Sequence, residues 1–147
     1  MRVAAEQNAA EDAAARAGSP VLFGDTDAFA TTIWEERYLG STSADVRALV
    51  RDPDLYLLTE ADGVPFDDDG LRDGEHLRHW MTGRFRTELA GRGVPYAVLA
   101  GSHARRLRTA IRAVDDLLAG GWHLAAPLTP GGVAGNTAKG AAVQVDQ

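Results

Sequence analysis

Two carboxylates one residue apart, Asp25 and Asp27, are the side chains whose types and spacing most directly suggest chemistry in this sequence. They follow the short apolar run 21–24, and a helix-like segment that carries Thr31 and Thr32 begins at once. In open α/β sheets, ligands bind where strands end and helices begin, so a strand that ends in Asp-x-Asp is a candidate site. The alternative is that this stretch only caps the exposed amide groups of the helix that follows.

The composition limits which classes of protein are open. A chain of 147 residues is one domain at most, and a formal net charge of −6 argues against a nucleic-acid or anionic-membrane surface. The chain contains no cysteine, no apolar run of the roughly 18 residues that a membrane span needs, and an N-terminal stretch unlike a signal peptide. We therefore predict a cytoplasmic protein whose partners include neither nucleic acid nor a membrane.

Apolar periodicity predicts a parallel α/β arrangement, because short buried strands alternate with amphipathic helices. The predicted domain covers residues 1–119, and the Gly/Ala/Pro-rich residues 120–147 are predicted to form a disordered tail. The predicted strands are Val21–Gly24, Leu55–Thr59 and Val94–Ala100; the predicted helices are Val3–Ala17, Asp27–Leu39, Ser43–Val50, Glu75–Gly91 and a final helix capped by Ser102.

Three motifs, taken in order, resemble one family. They are Gly24-Asp25-Thr26-Asp27 with Thr31-Thr32, the strand ending Leu57-Leu58-Thr59-Glu60, and Pro65-Phe66-x-x-Asp69-Gly70-Leu71-Arg72. The chain from Val3 to Leu118 resembles the ribonucleoside-kinase domain of the NadR-like P-loop proteins, whose relatives include AAA-type ATPases. The resemblance implies an ATP-dependent kinase of nicotinamide ribonucleoside and an incomplete P-loop NTPase-like parallel sheet of three strands flanked by helices.

The resemblance also implies roles for particular residues. Asp25 and Asp27 would be catalytic, at the strand end near the acceptor ribose, and Asp25 would also contact the metal. Arg72 would lie over the phosphates, where a guanidinium binds in a bidentate manner; the alternative is a solvated partner for neighbouring carboxylates. Mg²⁺ and ATP would be the cofactors, and the substrate-binding residues would be Thr31, Thr32, Phe66 and Asp69.

Two further positions carry an alternative beside the implied role. Phe66 stands where the family generally has tryptophan, and its ring is the one that would stack on a base. Arg105 and Arg106 follow the third predicted strand, where related kinases pass near the adenine, and they are nucleotide-binding candidates. A Ser-capped helix with exposed arginines explains the same residues.

The phosphate-binding loop of a P-loop kinase, G-x-x-x-x-G-K-[ST], does not occur in this sequence. The one lysine, Lys139, follows no predicted strand and has glycine after it. We therefore expect the C-terminal part of a kinase domain that is inactive alone. A homo-oligomer or a missing N-terminal segment would complete it. The alternative function is a non-catalytic remnant that binds a nucleoside or a protein.

One more pair of residues has metal-like spacing. His76 and His79 lie three residues apart on a predicted helix, beside Glu75. No third ligand of suitable type is placed nearby, so solvated helix residues are the favoured interpretation.

Overall fold

The computed structural model describes residues 2–18, 21–66 and 75–121. Among these residues the chain forms two compact units. The first unit draws on residues 2–18, 21–53, 66 and 75–88, and the second on residues 54–65 and 89–121. The elements in chain order are α1 (Arg2–Ala17), α2 (Ala28–Leu39), α3 (Ala44–Arg47), β1 (Tyr56–Thr59), α4 (His76–Arg92), β2 (Tyr96–Leu99) and α5 (His103–Ala119).

The core of the first unit forms where α2 packs against α1 and α3. Phe29 and Ile33 lie one turn apart on α2 and are almost fully buried, as the apolar spacing of this helix predicts. The ring of Phe29 meets that of Phe85 edge to face, with 5.6 Å between centroids. Gly40 ends α2 with φ of 76°, a left-handed conformation that glycine adopts without steric cost, and its N–H donates to Glu36 O.

Polar contacts hold α1 and α4 in the first unit. The buried Asn8 amide of α1 donates to Leu49 O at 2.8 Å, so its polar group is satisfied. The Arg51 guanidinium lies 2.6 Å from Asp12 Oδ1, and the hydrogen bond from Arg51 lowers the pKa of Asp12 below its usual value of 3.8. On α4, Arg84 pairs with Glu36 and Glu88, each at 2.8 Å, and the bond to Glu36 raises the pKa of Arg84.

The sheet of the second unit is a parallel pair, in which β1 and β2 run side by side in the register Tyr56↔Tyr96 to Thr59↔Leu99. Helix α5 follows β2 and packs back on it. The Ser102 hydroxyl accepts the N–H of Arg105 and caps α5, which confirms the predicted helix start. The predicted strands at 55–59 and 94–100 are both confirmed, with bounds one or two residues shorter.

The predicted strand at Val21–Gly24 is wrong. These residues form no ladder in the described part of the chain, where the sheet consists of β1 and β2. Leu22 and Phe23 are 47% and 67% exposed rather than buried. A strand requires a neighbour for its backbone hydrogen bonds, and an apolar run without one remains irregular. The three-stranded sheet is therefore a two-stranded sheet in the residues described.

The predictions of the helices were more accurate than the prediction of the sheet. Four predicted helices are confirmed within two or three residues at each end, and the predicted helix at 43–50 is shorter, since α3 covers only Ala44–Arg47. None of the described helices combines the length and the apolar character that crossing a bilayer would require. The predicted tail at 120–147 lies, beyond residue 121, outside the described residues.

Candidate functional site

Asp27 is the N-cap of α2. Its Oδ1 accepts the backbone N–H of Ala30 at 2.7 Å, and its backbone is extended, as an N-cap requires. The carboxylate thus stabilises one of the amide groups that the first turn of a helix leaves unpaired. The capping interpretation of the Asp-x-Asp stretch therefore applies to its second carboxylate.

Asp25 lies in a turn that is hydrogen-bonded to helix α1. Gln7 on α1 donates its amide to Thr26 O at 3.0 Å and to Glu11 Oε1 at 3.1 Å. The backbone between the two carboxylates is therefore fixed, while Asp25 itself is exposed. One carboxylate caps the helix and the other faces solvent within a single anchored turn.

The two threonines of α2 differ in what their hydroxyls do. Thr31 Oγ1 donates to Asp27 O at 3.2 Å, within the first turn of the helix, and the residue is half-buried. Thr32 is buried, with its Oγ1 donating to Phe29 O at 2.7 Å. Thr42 reaches the same turn from the loop after α2, with its hydroxyl 2.8 Å from Thr32 O. Thr31 lies beside the Asp-x-Asp turn, whereas Thr32 lies in the core; their substrate-binding roles remain predictions.

Phe66 has a cationic neighbour on α4. The Arg78 guanidinium lies over the Phe66 ring, 5.7 Å from the centroid, in cation–π geometry. Phe66 is half-buried, so this contact covers part of the ring that was predicted to stack on a base. The other predicted residues of this loop, Asp69 and Arg72, lie outside the described residues.

Arg106 connects the segments that leave the two strands of the second unit. Its guanidinium donates to three backbone carbonyls, each at 2.7 Å: Nε to Gly101 O, and the terminal nitrogens to Glu60 O and Asp62 O. Charged donors form the stronger class of hydrogen bond. Three of the five donors of Arg106 thus hold the carboxyl-terminal edge of the sheet, which is where ligands bind in parallel α/β folds.

Arg105 differs from its neighbour, because its side chain is exposed. It packs along the turn at Gly101, where φ is +83° and an added Cβ would lie 3.1 Å from Arg105 Cδ. Only glycine fits this turn without strain. Of the two arginines predicted to bind nucleotide, Arg105 is exposed at the sheet edge and Arg106 is used in holding that edge together.

The predicted cofactors Mg²⁺ and ATP would require metal ligands and a phosphate-binding loop. The described residues contain no group of three or more His, Cys, Asp or Glu side chains able to hold a metal ion. Asp25 offers one exposed carboxylate, and Mg²⁺ usually binds through one or two carboxylates together with substrate phosphates and water. The backbone cradle and lysine that would hold those phosphates do not occur in the sequence. In this turn the described residues therefore offer one exposed carboxylate, and the sequence lacks the phosphate-binding motif.

Sequence reasoning missed three sets of contacts: Gln7 with Thr26 O, Arg78 with the Phe66 ring, and Arg106 with three backbone carbonyls. Gln7 and Arg78 carried no signal, because each acts on a residue far along the chain. Arg106 carried a partial one. A guanidinium four residues after a helix N-cap is placed beside the strand end that precedes the helix, and backbone carbonyls are its nearest acceptors there.

Two parallel strands, followed along the chain by α4 and α5, give an α/β arrangement in the described residues. A family model described as an AAA domain matches residues 1–106, which is more than half of the chain, and the chain therefore belongs to that AAA domain family. The match supports a P-loop NTPase-like, nucleotide-binding class of domain and extends from α1 to Arg106. Searches of curated proteins and of solved structures found no match.

Proposed function

We propose that this chain is the acceptor-binding part of a NadR-like, ATP-dependent nucleoside kinase domain, and that residues 1–147 alone transfer no phosphate. The observation that carries the proposal is the division of roles in the Asp-x-Asp turn. Asp27 caps α2, while Asp25 is exposed on a turn that Gln7 anchors. A positioned and solvent-facing carboxylate is what an acceptor hydroxyl needs.

Asp25 is the proposed general base. Phosphoryl transfer asks the protein mainly for positioning and for neutralising charge, and a carboxylate within hydrogen-bond reach of the attacking hydroxyl can take its proton. Asp27 then acts indirectly, because the capped first turn of α2 fixes the backbone that carries Asp25. Thr31 lies in the first turn of α2 beside Asp27 and is half-buried, and it is the proposed substrate-binding hydroxyl of this turn.

The lack of a phosphate-binding motif supports the other part of the proposal, that residues 1–147 alone transfer no phosphate. In P-loop enzymes, a nest of backbone amides and a lysine hold the β- and γ-phosphates. The G-x-x-x-x-G-K-[ST] motif that supplies both does not occur in residues 1–147, and the stretch from Glu60 to Glu75 contains seven carboxylates and one arginine. Like charges repel triphosphate there, so we expect neither tight binding of Mg·ATP nor turnover.

The first experiment uses the chain as it is. Calorimetric titration with Mg·ATP and a coupled assay for ADP, with nicotinamide riboside as acceptor, should both give background values. Micromolar binding with turnover would contradict the expected inactivity, and it would show that the chain assembles a phosphate site of another kind.

The second experiment tests the kinase assignment. A strand–P-loop–helix segment from a NadR-like kinase is fused ahead of residue 1, and binding of Mg·ATP confirms that the fusion has a working phosphate site. The fusion should then phosphorylate nicotinamide riboside. Asp25→Asn should lower kcat by roughly 10²–10⁴-fold with little change in KM.

The matched control is Asp45→Asn, an exposed carboxylate in the first turn of α3. It should leave kcat and KM unchanged. A fusion that binds Mg·ATP but phosphorylates no nucleoside would overturn the assignment. An active fusion whose kcat survives Asp25→Asn would reduce Asp25 to a surface residue.

A further inference from the structure

Helix α5 presents an apolar stripe that the described residues leave exposed. Leu107, Ile111 and Leu118 are 52%, 51% and 42% exposed, and Val114 between them is half-buried. The helix is already tied to its own unit along another side, where Thr109, Ala110 and Ala113 are half-buried and α5 packs on β2. The stripe is thus a second apolar face beside the one that the sheet uses.

The spacing of this stripe is that of a coiled-coil seam. Successive members are four, three and four residues apart, which corresponds to heptad positions d, a, d and a. Arg108 and Asp115 each follow a d residue and so occupy e positions, on the outer flank of the seam. The inner flank is formed by Ala110 and Leu117, which lie toward the sheet side of the helix. One flank is therefore charged and the other apolar.

We propose that α5 pairs with α5 of a second copy of this chain in an antiparallel, two-fold symmetric arrangement. Leu107 then faces the partner's Leu118, and Ile111 faces the partner's Val114. In antiparallel coiled coils, e positions meet e positions, so Arg108 lies beside the partner's Asp115, and symmetry repeats the pair. The proposal concerns the second unit only and does not depend on the kinase assignment.

The distribution of charge selects this occupant. The first half of α5 carries three arginines, Arg112 follows just past the midpoint, and the C-terminal part of the helix carries Asp115 and Asp116. A helix that is basic at its start and acidic towards its end complements itself when its copies run in opposite directions. In a parallel pairing, e positions meet g positions, so Arg108 and Asp115 would lie beside the partner's His103 and the partner's Ala110 instead of beside each other. Within residues 2–18, 21–66 and 75–121, neither Arg108 nor Asp115 has an ion-pair partner, so both are available for the partner's charges.

A short seam is sufficient here because the helix does not have to form during association. Isolated helices of this length are marginal in water. Helix α5 instead packs on β2 and is capped by Ser102, so it is already ordered within its own unit. Association therefore does not have to supply the conformational entropy of forming the helix. Pairing then buries leucine, isoleucine and valine side chains that are already in place, which favours association.

The test uses sedimentation velocity over a range of protein concentrations. The wild-type chain should sediment as a reversible dimer. Arg108→Glu and Asp115→Arg each place like charges opposite one another twice per dimer, and each should weaken dimerisation roughly tenfold. Ile111→Lys should give a monomer, and circular dichroism should show that its helix content is retained.

Two combinations distinguish this geometry from any other dimer. An equal mixture of Arg108→Glu and Asp115→Arg should form a heterodimer, because each charge then meets its opposite across the symmetry axis. The double variant R108E/D115R should recover wild-type dimerisation.

The matched control is Asp116→Arg, which makes the same change of charge one residue further on, at a position turned away from the seam. It should dimerise as the wild type does. A wild-type chain that is monomeric at all concentrations would overturn the proposal. So would a dimer that is indifferent to both charge reversals, or a mixture that fails to associate.

Discussion

Asp27 Oδ1 accepts the N–H of Ala30 at 2.7 Å, so the second carboxylate of the Asp-x-Asp turn is part of helix α2. Asp25, two residues earlier, is exposed. Two carboxylates that look equivalent in the sequence thus contribute to different properties: Asp27 to the stability of the fold and Asp25 to the surface at the start of α2. Their substitutions should separate accordingly.

Asp27→Ala should destabilise the chain by about 1 kcal/mol, because the N–H of Ala30 loses its acceptor. Asp27→Asn retains a side-chain oxygen and should cost much less. Urea denaturation followed by circular dichroism measures both, with Asp25→Ala as the control that leaves stability unchanged. Equal destabilisation by Asp25→Ala and Asp27→Ala would show that the cap is not the source of the effect.

Arg106→Ala should loosen the carboxyl-terminal edge of the sheet. It removes three charged hydrogen bonds to Glu60 O, Asp62 O and Gly101 O, and we expect a loss of about 2 kcal/mol in the free energy of unfolding. Amide hydrogen exchange should rise in residues 60–64. Arg105→Ala is the matched control, since its side chain makes none of these bonds. Unchanged exchange in residues 60–64 after Arg106→Ala would show that the Arg106 hydrogen bonds do not hold this segment.

The ion pair between Arg84 and Glu36 should show measurable coupling. Both side chains are about 30% exposed, which lessens screening by solvent relative to an open surface pair. A double-mutant cycle with Arg84→Met and Glu36→Gln should give a coupling energy of about 1 kcal/mol. The cycle of Arg84 with Glu88, a partner four residues away on the same helix, should give less. A coupling of zero for Glu36 would mean that the pair contributes nothing to packing of α4.

The pair between Asp12 and Arg51 predicts a pH dependence. The hydrogen bond from Arg51 lowers the pKa of Asp12 in the folded chain, so the stabilisation is present above the unfolded value of 3.8 and is lost as pH falls through the lowered value. Arg51→Ala should therefore lower the midpoint of urea denaturation at about pH 7 and leave it unchanged near pH 2.

The control for this pH effect is Arg47→Ala, an exposed arginine on α3. Its effect on the midpoint should not vary between the two pH values in the same way. Added salt should shrink the Arg51 effect at neutral pH, because both side chains are exposed. An Arg51→Ala effect that is equal at both pH values would contradict the pairing.

The helices of this chain could be predicted from the sequence because their signals are local. Ser102, Asp27 and Gly40 act on residues within one turn; the predicted Ser102 cap was confirmed, and the structure has Asp27 and Gly40 as the caps of α2. Leu77, Met81, Phe85 and Leu89, four residues apart, likewise indicate α4, and these four side chains are half-buried or buried. Both strands of the observed sheet were also apparent, because short apolar runs followed by turn residues are bounded on both sides.

The error at Val21–Gly24 has a different origin. Whether an apolar run becomes a strand depends on a partner elsewhere in the chain, and nothing in the run itself reports that partner. The same limit applies to the candidate site. The sequence predicted the helix that begins after the Asp-x-Asp stretch, but it also predicted a strand before that stretch, which these residues do not form. The different contacts of Asp25 and Asp27 depend on the helix start, and the contacts of Arg106 depend on the positions of Glu60 and Asp62.

The pairing of β1 with β2 also has a consequence for the order in which the chain folds. Each residue of β1 pairs with a residue of β2 about 40 positions further along the chain, and α4 separates the two strands in the sequence. Such long-range contacts form slowly, because a long loop must close before any ladder bond is gained. During synthesis, β1 must wait for β2 to leave the ribosome, while α1, α2 and α3 already have their neighbours. The residues of the first unit are therefore all synthesised, and can make their contacts, before β2 becomes available to the second unit.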